Sequence, residues 1–123
     1  MSLISSTAYV APTATVSGIV RGNAKIYDYA IIYGTVFGNA EIHDKSKIST
    51  EHGVFGNAKV YGHSDLAMCT VYGNAKIYNS MIYSFTRIYG NAIIIDSYIY
   101  GHYKQGKFRI RGKARLKQFI DNA

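Results

Sequence analysis

Aliphatic residues recur mostly every six positions along this chain, which is neither the spacing of a helix nor the alternation of an ordinary strand. Three such positions make one longer unit, and the units begin at Ile4, Val20, Val36, Val54, Val71 and Ile88. A small residue such as Ala24 or Ala40 stands four positions after most of the aliphatic ones. The pattern predicts short strands joined by tight corners, with aliphatic side chains inside and three strands making one turn of a triangular prism.

Residues 20–26 come back as residues 36–42, 54–60, 71–77 and 88–94, each copy with Gly-Asn-Ala at its centre. Self-similarity at a period of 16 to 18 residues indicates a stacked repeat fold. The Gly-Asn pair is able to adopt positive φ at a corner. Because stacked strands lie ~4.8 Å apart, equivalent residues should form ladders along the prism. One predicted ladder consists of Asn23, Asn39, Asn57, Asn74 and Asn91.

We predict one domain over residues 1–123, with regular coils from residue 4 to residue 99. Residues 100–109 are predicted to be an irregular loop, whose inserted part is residues 102–107. Residues 110–116 resemble a sixth copy of the repeat, displaced by about five residues. Residues 110–123 would then be a last partial coil and cap, in which residues 114–123 form a short helix over the open end of the stack.

The pattern of Ile or Val, then Gly two positions later and Ala, Ser or Thr two positions after that, resembles the hexapeptide repeat of left-handed parallel β-helices. Residues 8–18 are similar to the first coil of hexapeptide acyltransferases and γ-class carbonic anhydrases. The Gly-Asn-Ala form resembles most the small repeat proteins of bacteria and their phages, including the YdcK-like group. The resemblance implies an all-β, left-handed parallel β-helix of about six short coils. It also suggests a phage or mobile-element protein that interacts with its host.

Histidine is the residue that would reveal an enzyme of this kind. In the acyltransferases that the chain resembles, a histidine near a subunit boundary is a general base, and in the carbonic anhydrases three histidines bind a metal. His43, His52, His63 and His102 fall on different ladders, so no metal site is predicted within one chain, although a site shared between subunits stays open.

Both His63 and His102 follow Tyr-Gly and are the candidates for catalysis. The alternative is that each replaces the corner asparagine because a polar residue tolerates the backbone conformation there. No cofactor is expected, except acetyl-CoA if the chain is a minimal acyltransferase with its site between subunits.

The residues that follow the core positions are predicted to form outward ladders, and two of these ladders are largely aromatic. The first face carries Phe37, Phe55, Tyr72 and Tyr89, and the second face carries Tyr27, Tyr61 and Tyr78 together with His43. Such ladders stabilise a sheet as cross-strand pairs, or they form a subunit interface. The resemblance implies a homo-oligomer, with a trimer favoured. A platform on which carbohydrate rings or bases stack is the third alternative.

The chain contains 14 Lys and Arg against 7 Asp and Glu, and a net charge of +7 favours acidic partners. Seven of the basic residues lie close together near the C-terminus: Lys104, Lys107, Arg109, Arg111, Lys113, Arg115 and Lys117. They are predicted to dock an acidic protein or nucleic acid. The alternatives are a solubilising cap that protects the last strand edge and a site for a phosphate-bearing small ligand. A further ladder of Lys25, Glu41, Lys59 and Lys76 is expected to be an exposed row of ion pairs.

The cysteine content and the lack of long apolar stretches indicate in which compartment the protein is expected. The one cysteine, Cys69, excludes an intrachain disulfide, and no apolar stretch approaches the ~18 residues of a membrane helix. Since no signal peptide is recognisable, the chain is expected to be cytoplasmic. These features favour a non-catalytic scaffold or binding module, with the minimal acyltransferase as the alternative.

Overall fold

The computed structural model describes residues 3–83, 86–101, 108–113 and 119–121. They form a parallel β-helix of about six coils, and none of them lies in a helix, so none could belong to a membrane-crossing one. The strands are β1 (Leu3–Ile4), β2 (Tyr9–Val10), β3 (Thr15–Val16), β4 (Ile19–Val20), β5 (Lys25–Ile26), β6 (Ile31–Ile32), β7 (Thr35–Val36), β8 (Glu41–Ile42), β9 (Lys47–Ile48), β10 (Lys59–Tyr61), β11 (Asp65–Ala67), β12 (Thr70–Val71), β13 (Lys76–Tyr78), β14 (Met81–Tyr83), β15 (Thr86–Ile95), β16 (Tyr98–Gly101), β17 (Phe108–Lys113) and β18 (Phe119–Asp121).

Strands stack in parallel into three faces. On the first face β1, β4 and β7 pair in order, and single bridges from Val36 to Val54 and from Val54 to Val71 continue the stack to β12, β15 and β17. The second face runs β2, β5, β8, β10, β13 and β15, and the third runs β3, β6, β9, β11, β14, β16 and β18. Strand β15 turns the corner between the first two faces, pairing with β12 and then with β13. The triangular arrangement expected from the six-residue spacing is confirmed.

The aliphatic positions form the core, as the pattern predicts. Ile26 lies in register with Ile42, and Ile32 with Ile48, and all four side chains are fully buried. The small residues also lie inside, where the corners narrow the interior, and Ala24, Ala40, Ala58, Ala75 and Ala92 are buried. In the first coil, by contrast, Ile4 is 47% exposed, because only one neighbouring coil packs against it among the described residues.

The first corner, between the first and second faces, is made by Gly-Asn. Gly22, Gly38, Gly56, Gly73 and Gly90 all have positive φ, whereas the asparagines that follow them do not. A Cβ at Gly73 would lie 2.8 Å from the backbone N of Gly90, so the stack requires glycine there for close packing as well as for conformation. The predicted asparagine ladder is confirmed for Asn39, Asn57, Asn74 and Asn91, at Nδ2 to Oδ1 distances of 3.3 to 3.5 Å. Within the described residues, the side chain of Asn23 is not hydrogen-bonded to it.

The second corner, between the second and third faces, is built differently. Asp28, Asp44, Gly62, Asn79 and Asp96 occupy one ladder there, and all have positive φ. Two of the aspartates accept backbone hydrogen bonds from the adjacent coil: Asp44 Oδ2 accepts from the N–H of Gly62 at 2.8 Å, and Asp28 Oδ2 from that of Asp44 at 3.2 Å. A carboxylate that accepts such bonds tolerates a stacked carboxylate neighbour.

Buried serines lie beneath this second corner. Ser80 Oγ accepts a hydrogen bond from the N–H of Ser97 at 3.0 Å and donates one to the carbonyl oxygen of Tyr78 at 2.8 Å. Ser64 makes the equivalent pair of bonds with Ser80 and Tyr61. The hydroxyls thus satisfy backbone groups that could not reach water.

The C-terminal part departs from several expectations. Ile110 pairs with Ile88, which agrees with a sixth copy, but Lys113 pairs with Ile93, two residues short of the register that this copy implies. Gly101 and Phe108 belong to strands, and the inserted residues 102–107 lie outside the described residues. The expected capping helix is not found, because Phe119–Asp121 is a strand paired with β16, while residues 114–118, 122 and 123 lie outside the described residues. Pairing of this kind satisfies the backbone of β16 more completely than a covering helix would.

Replacing Ser80 tests the role of the buried hydroxyls. Ser80→Ala leaves the N–H of the buried Ser97 without its acceptor, so we expect the free energy of unfolding to fall by about 1–3 kcal/mol. Urea denaturation measures the change. Ser49→Ala is the control, because Ser49 is half-buried on the outer surface, and we expect a change within about 0.5 kcal/mol. Equal losses in the two variants would contradict this account.

Candidate functional site

Aromatic side chains form a continuous column on the first face. Ring centroids lie 4.6 Å apart between Phe37 and Phe55, 5.1 Å between Phe55 and Tyr72, and 5.2 Å between Tyr72 and Tyr89. The rings are within 9° of parallel. This follows from the in-register strands, which hold equivalent side chains at about the ~4.8 Å strand spacing. The first predicted aromatic ladder is confirmed.

The second face carries a matching column that includes a histidine. The His43 ring is stacked between Tyr27 at 4.5 Å and Tyr61 at 4.6 Å, and Tyr78 follows at 4.8 Å from Tyr61. Burial raises the pKa of Tyr61, and the nearby Tyr78 and Glu41 raise it further. The second predicted ladder is confirmed as well.

Glu41 is not part of the expected row of lysine ion pairs. It lies in register with Lys25 and Lys59, but its carboxylate oxygen Oε1 contacts Nε2 of His43 at 3.1 Å. The lysines of that ladder therefore lack an anionic partner in the part of the chain that the structure describes.

Stacking within the columns limits what the columns can bind. The inner rings, such as Phe55 and His43, are covered on both faces by their neighbours, so a base or sugar ring cannot stack on them. The column side chains are half-buried. Of the large side chains that are exposed, Tyr9 lies at the end of the second column, with its ring tilted at 5.6 Å from that of Tyr27. The others lie away from the columns: Leu3, Ile4, Tyr29, Tyr33, Met68 and Met81. The columns stay a predicted subunit interface, through ring edges and hydroxyls rather than ring faces.

His63 lines a cavity of about 370 Å³ at the second corner. The other lining residues are Asp28, Tyr29, Asp44, Lys45 and Gly62. His63 is exposed, and although its backbone N–H donates to Asn79 Oδ1 at 3.0 Å, its imidazole has no hydrogen-bond partner within the described residues. A general base normally has such an orienting partner. The other candidate, His102, lies outside the described residues.

The basic C-terminal residues are placed only in part. Arg109, Arg111 and Lys113 belong to β17, whereas Lys104, Lys107, Arg115 and Lys117 lie outside the described residues. Strand pairing sets Arg109 beside Arg87, and Arg111 beside Tyr89. Arg87 is exposed and adds a cation to this end of the stack. The sequence alone did not predict that Arg87 and Arg109 are neighbours, because this depends on the register of β17.

Comparison with protein-family models, curated proteins and solved structures gives no match for this chain. The resemblance to hexapeptide-repeat proteins therefore depends on the repeat pattern alone. What the surface can do follows from its own charges and contacts.

The remaining ionisable groups offer little reactive chemistry. No group of three or more His, Cys, Asp or Glu residues that could hold a metal ion is found within the described ranges. Burial raises the pKa of Cys69 to about 12, so its thiol is not a ready nucleophile. On the third face, the hydroxyl of Tyr83 donates to Asp65 Oδ2 at 2.6 Å, and this hydrogen bond, with burial and the carboxylate charge, raises the pKa of Tyr83 to about 12.

The Tyr83 bond should make stability depend on pH in the alkaline range. Because folding raises the pKa of Tyr83 from 10.0 to about 12, its contribution is complete below pH 10 and is lost as the pH rises to about 12. We expect the wild-type protein to lose more stability across this window than Tyr83→Phe does, as measured by urea midpoints at each pH. Tyr29→Phe removes an exposed phenol instead and should follow the wild type. Parallel curves for the wild type and Tyr83→Phe would contradict the assignment.

Proposed function

We propose that this protein is a non-catalytic β-helical scaffold that docks an acidic partner through its basic C-terminal end. Residues 102–123 contain seven of the 14 basic residues but only one of the seven acidic ones. They account for six of the seven net positive charges of the chain. Charge concentrated in this way attracts anionic partners and accelerates their association.

The pairing of Arg87 with Arg109 is the observation that carries this proposal. Two arginines lie directly in register on neighbouring parallel strands, about 4.8 Å apart along the stack. Like charges in this arrangement destabilise a sheet. An anionic partner would remove the repulsion, so the arrangement favours a docking role over one that is only structural.

The scaffold is proposed to be a homo-oligomer, with a trimer favoured. The aromatic columns support this, because they present continuous strips of ring edges on two flat faces of the prism. Subunit interfaces are enriched in tyrosine and phenylalanine.

A thermal-shift experiment with polyglutamate tests the docking proposal. At low ionic strength we expect polyglutamate to raise the unfolding temperature, since a ligand at ~100 times its Kd stabilises by about 2.7 kcal/mol. The triple variant Arg109→Gln, Arg111→Gln, Arg115→Gln should lose most of this response. The control is the triple variant Arg109→Lys, Arg111→Lys, Arg115→Lys, which keeps the positive charge. A response that is equal in the Gln and Lys variants would reject the C-terminal end as the docking surface.

The cavity beside His63 supports an acyltransferase as the second candidate function. Acetyl-CoA would then stabilise the protein, and His63→Ala would lower the rate of acetyl transfer to amine acceptors at least 100-fold if His63 is the general base. Our proposal expects only the salt-sensitive stabilisation that the phosphates of acetyl-CoA give a basic surface, and expects His63→Ala to leave it unchanged. Stabilisation by acetyl-CoA in the absence of any response to polyglutamate would replace the scaffold proposal with the enzyme.

A further inference from the structure

Charge is distributed unevenly around the axis of the prism. We call the first corner, together with the residues that flank it on either face, the basic edge. Its described cations are Arg21, Lys25, Lys59 and Lys76. The single anion there is Glu41, which contacts His43. Over these four coils the basic edge carries four cations against one anion, and the coil that contains Glu41 has no cation there.

The second corner has the opposite balance. Four aspartates lie on or beside it, namely Asp28, Asp44, Asp65 and Asp96, against the two cations Lys45 and Lys47. The two corners are built on the same coils, so composition alone would not separate them. Their opposite charge makes one edge of the prism a distinct surface for anions.

The cations of the basic edge are not neutralised within the described part of the chain. None of Lys25, Lys59 and Lys76 forms an ion pair there, and Lys59 lies in register with Lys76 on the next strand. Lys25 and Lys76 are exposed. Adjacent like charges cost stability, which an anionic partner with charges at a similar spacing would restore.

Strand β17 extends the same edge towards the C-terminal end. Its backbone sets Arg111 beside Tyr89 in the first-face stack and Lys113 beside Ile93 in the second-face stack. These two stacks flank the first corner. The coil between Lys76 and β17 has Tyr89 and Ile93 at these two positions, so one coil without charge there separates the basic edge from the C-terminal docking end.

We infer that the basic edge binds nucleic acid through its phosphate backbone. This inference rests on the proposed function, because it names the acidic partner and extends the surface that contacts it. A nucleic acid strand carries one charge per ~3.4 Å along its axis, so cations that are separated by one or more coils, as Lys25, Lys59 and Lys76 are, can each reach a phosphate. The carboxylates of a folded acidic protein have no such regular spacing.

The residues around the basic edge predict that it binds nucleic acid without recognising the base sequence. Its neighbouring rings, such as Phe55 and Tyr72, are covered by one another and cannot stack on bases. The side-chain amides at the corner bond to each other along the ladder. Contacts from lysines to phosphates position a duplex but carry no sequence information.

The salt dependence of duplex binding tests this inference. The probe is a fluorescent DNA duplex of about 20 base pairs. The length of this duplex is roughly twice the ~29 Å that six coils span. Its anisotropy is measured over a range of salt concentrations. Each phosphate contact makes the slope of log K against log salt more negative by about 0.9. The double variant Lys59→Gln, Lys76→Gln should therefore have a slope that is less steep by about 2. Two duplexes of unrelated sequence should give the same Kd.

The control is the double variant Lys45→Gln, Lys47→Gln. It changes the net charge equally but lies at the second corner, so its slope should equal that of the wild type. Equal slopes in the two double variants would show that only overall charge matters, and would overturn the inference. Loss of duplex binding in the C-terminal Arg→Gln variant alone would reject the basic edge but leave the proposed function standing. Response to polyglutamate without any duplex binding would identify an acidic protein as the partner instead.

Discussion

In-register hydrogen bonding between parallel coils is the constraint on which the rest of the structure depends. The N–H of Arg21 donates to the carbonyl oxygen of Val36 at 2.9 Å, and that of Tyr27 to Ile42 at 2.8 Å, and equivalent bonds join the coils above. Because each strand has only two or three residues for most of the stack, a register slip would move aliphatic side chains outward at once. The bonds therefore require an aliphatic residue at each inward position of every coil.

The same constraint makes the outer surface a set of columns, in which each residue contacts the residues at the equivalent position of the neighbouring coils. Aromatic rings gain from this, as the stacked Phe37 and Phe55 show. Stacked residues of like charge destabilise the structure, and the fold offsets this repulsion at one of two places. At the second corner, Asp44 uses its carboxylate as an acceptor for the next coil's backbone. On the second face, Lys59 and Lys76 remain unpaired in the described structure. Because nothing in the described structure offsets the repulsion between these two lysines, their arrangement favours a binding partner with negative charge.

The inward residues and the outward columns could be predicted from the sequence because both depend only on a short local period. The corners could not, because their length varies, and Ser80 and Ser97 fall one position away from the expected small residue. Positive φ at the first corner belongs to glycine alone, although Gly-Asn suggested a shared role. The proximity of Arg87 and Arg109 was also hidden, since it depends on how many residues the chain inserts before β17.

The two ends of the stack differ in charge. This difference is consistent with both explanations of the basic C-terminal residues, protection of a strand edge and docking of an acidic partner. Residues 3–20 contain no charged side chain, and Leu3 and Ile4 are about half exposed there. Strand β17, at the other end, alternates Arg and Lys with Phe, Ile and Gly. Cations on an outer strand discourage pairing with other strands, because each copy would bring the same charge. A polyanion has the opposite charge, so the cations that repel a second copy are suited to hold such a partner.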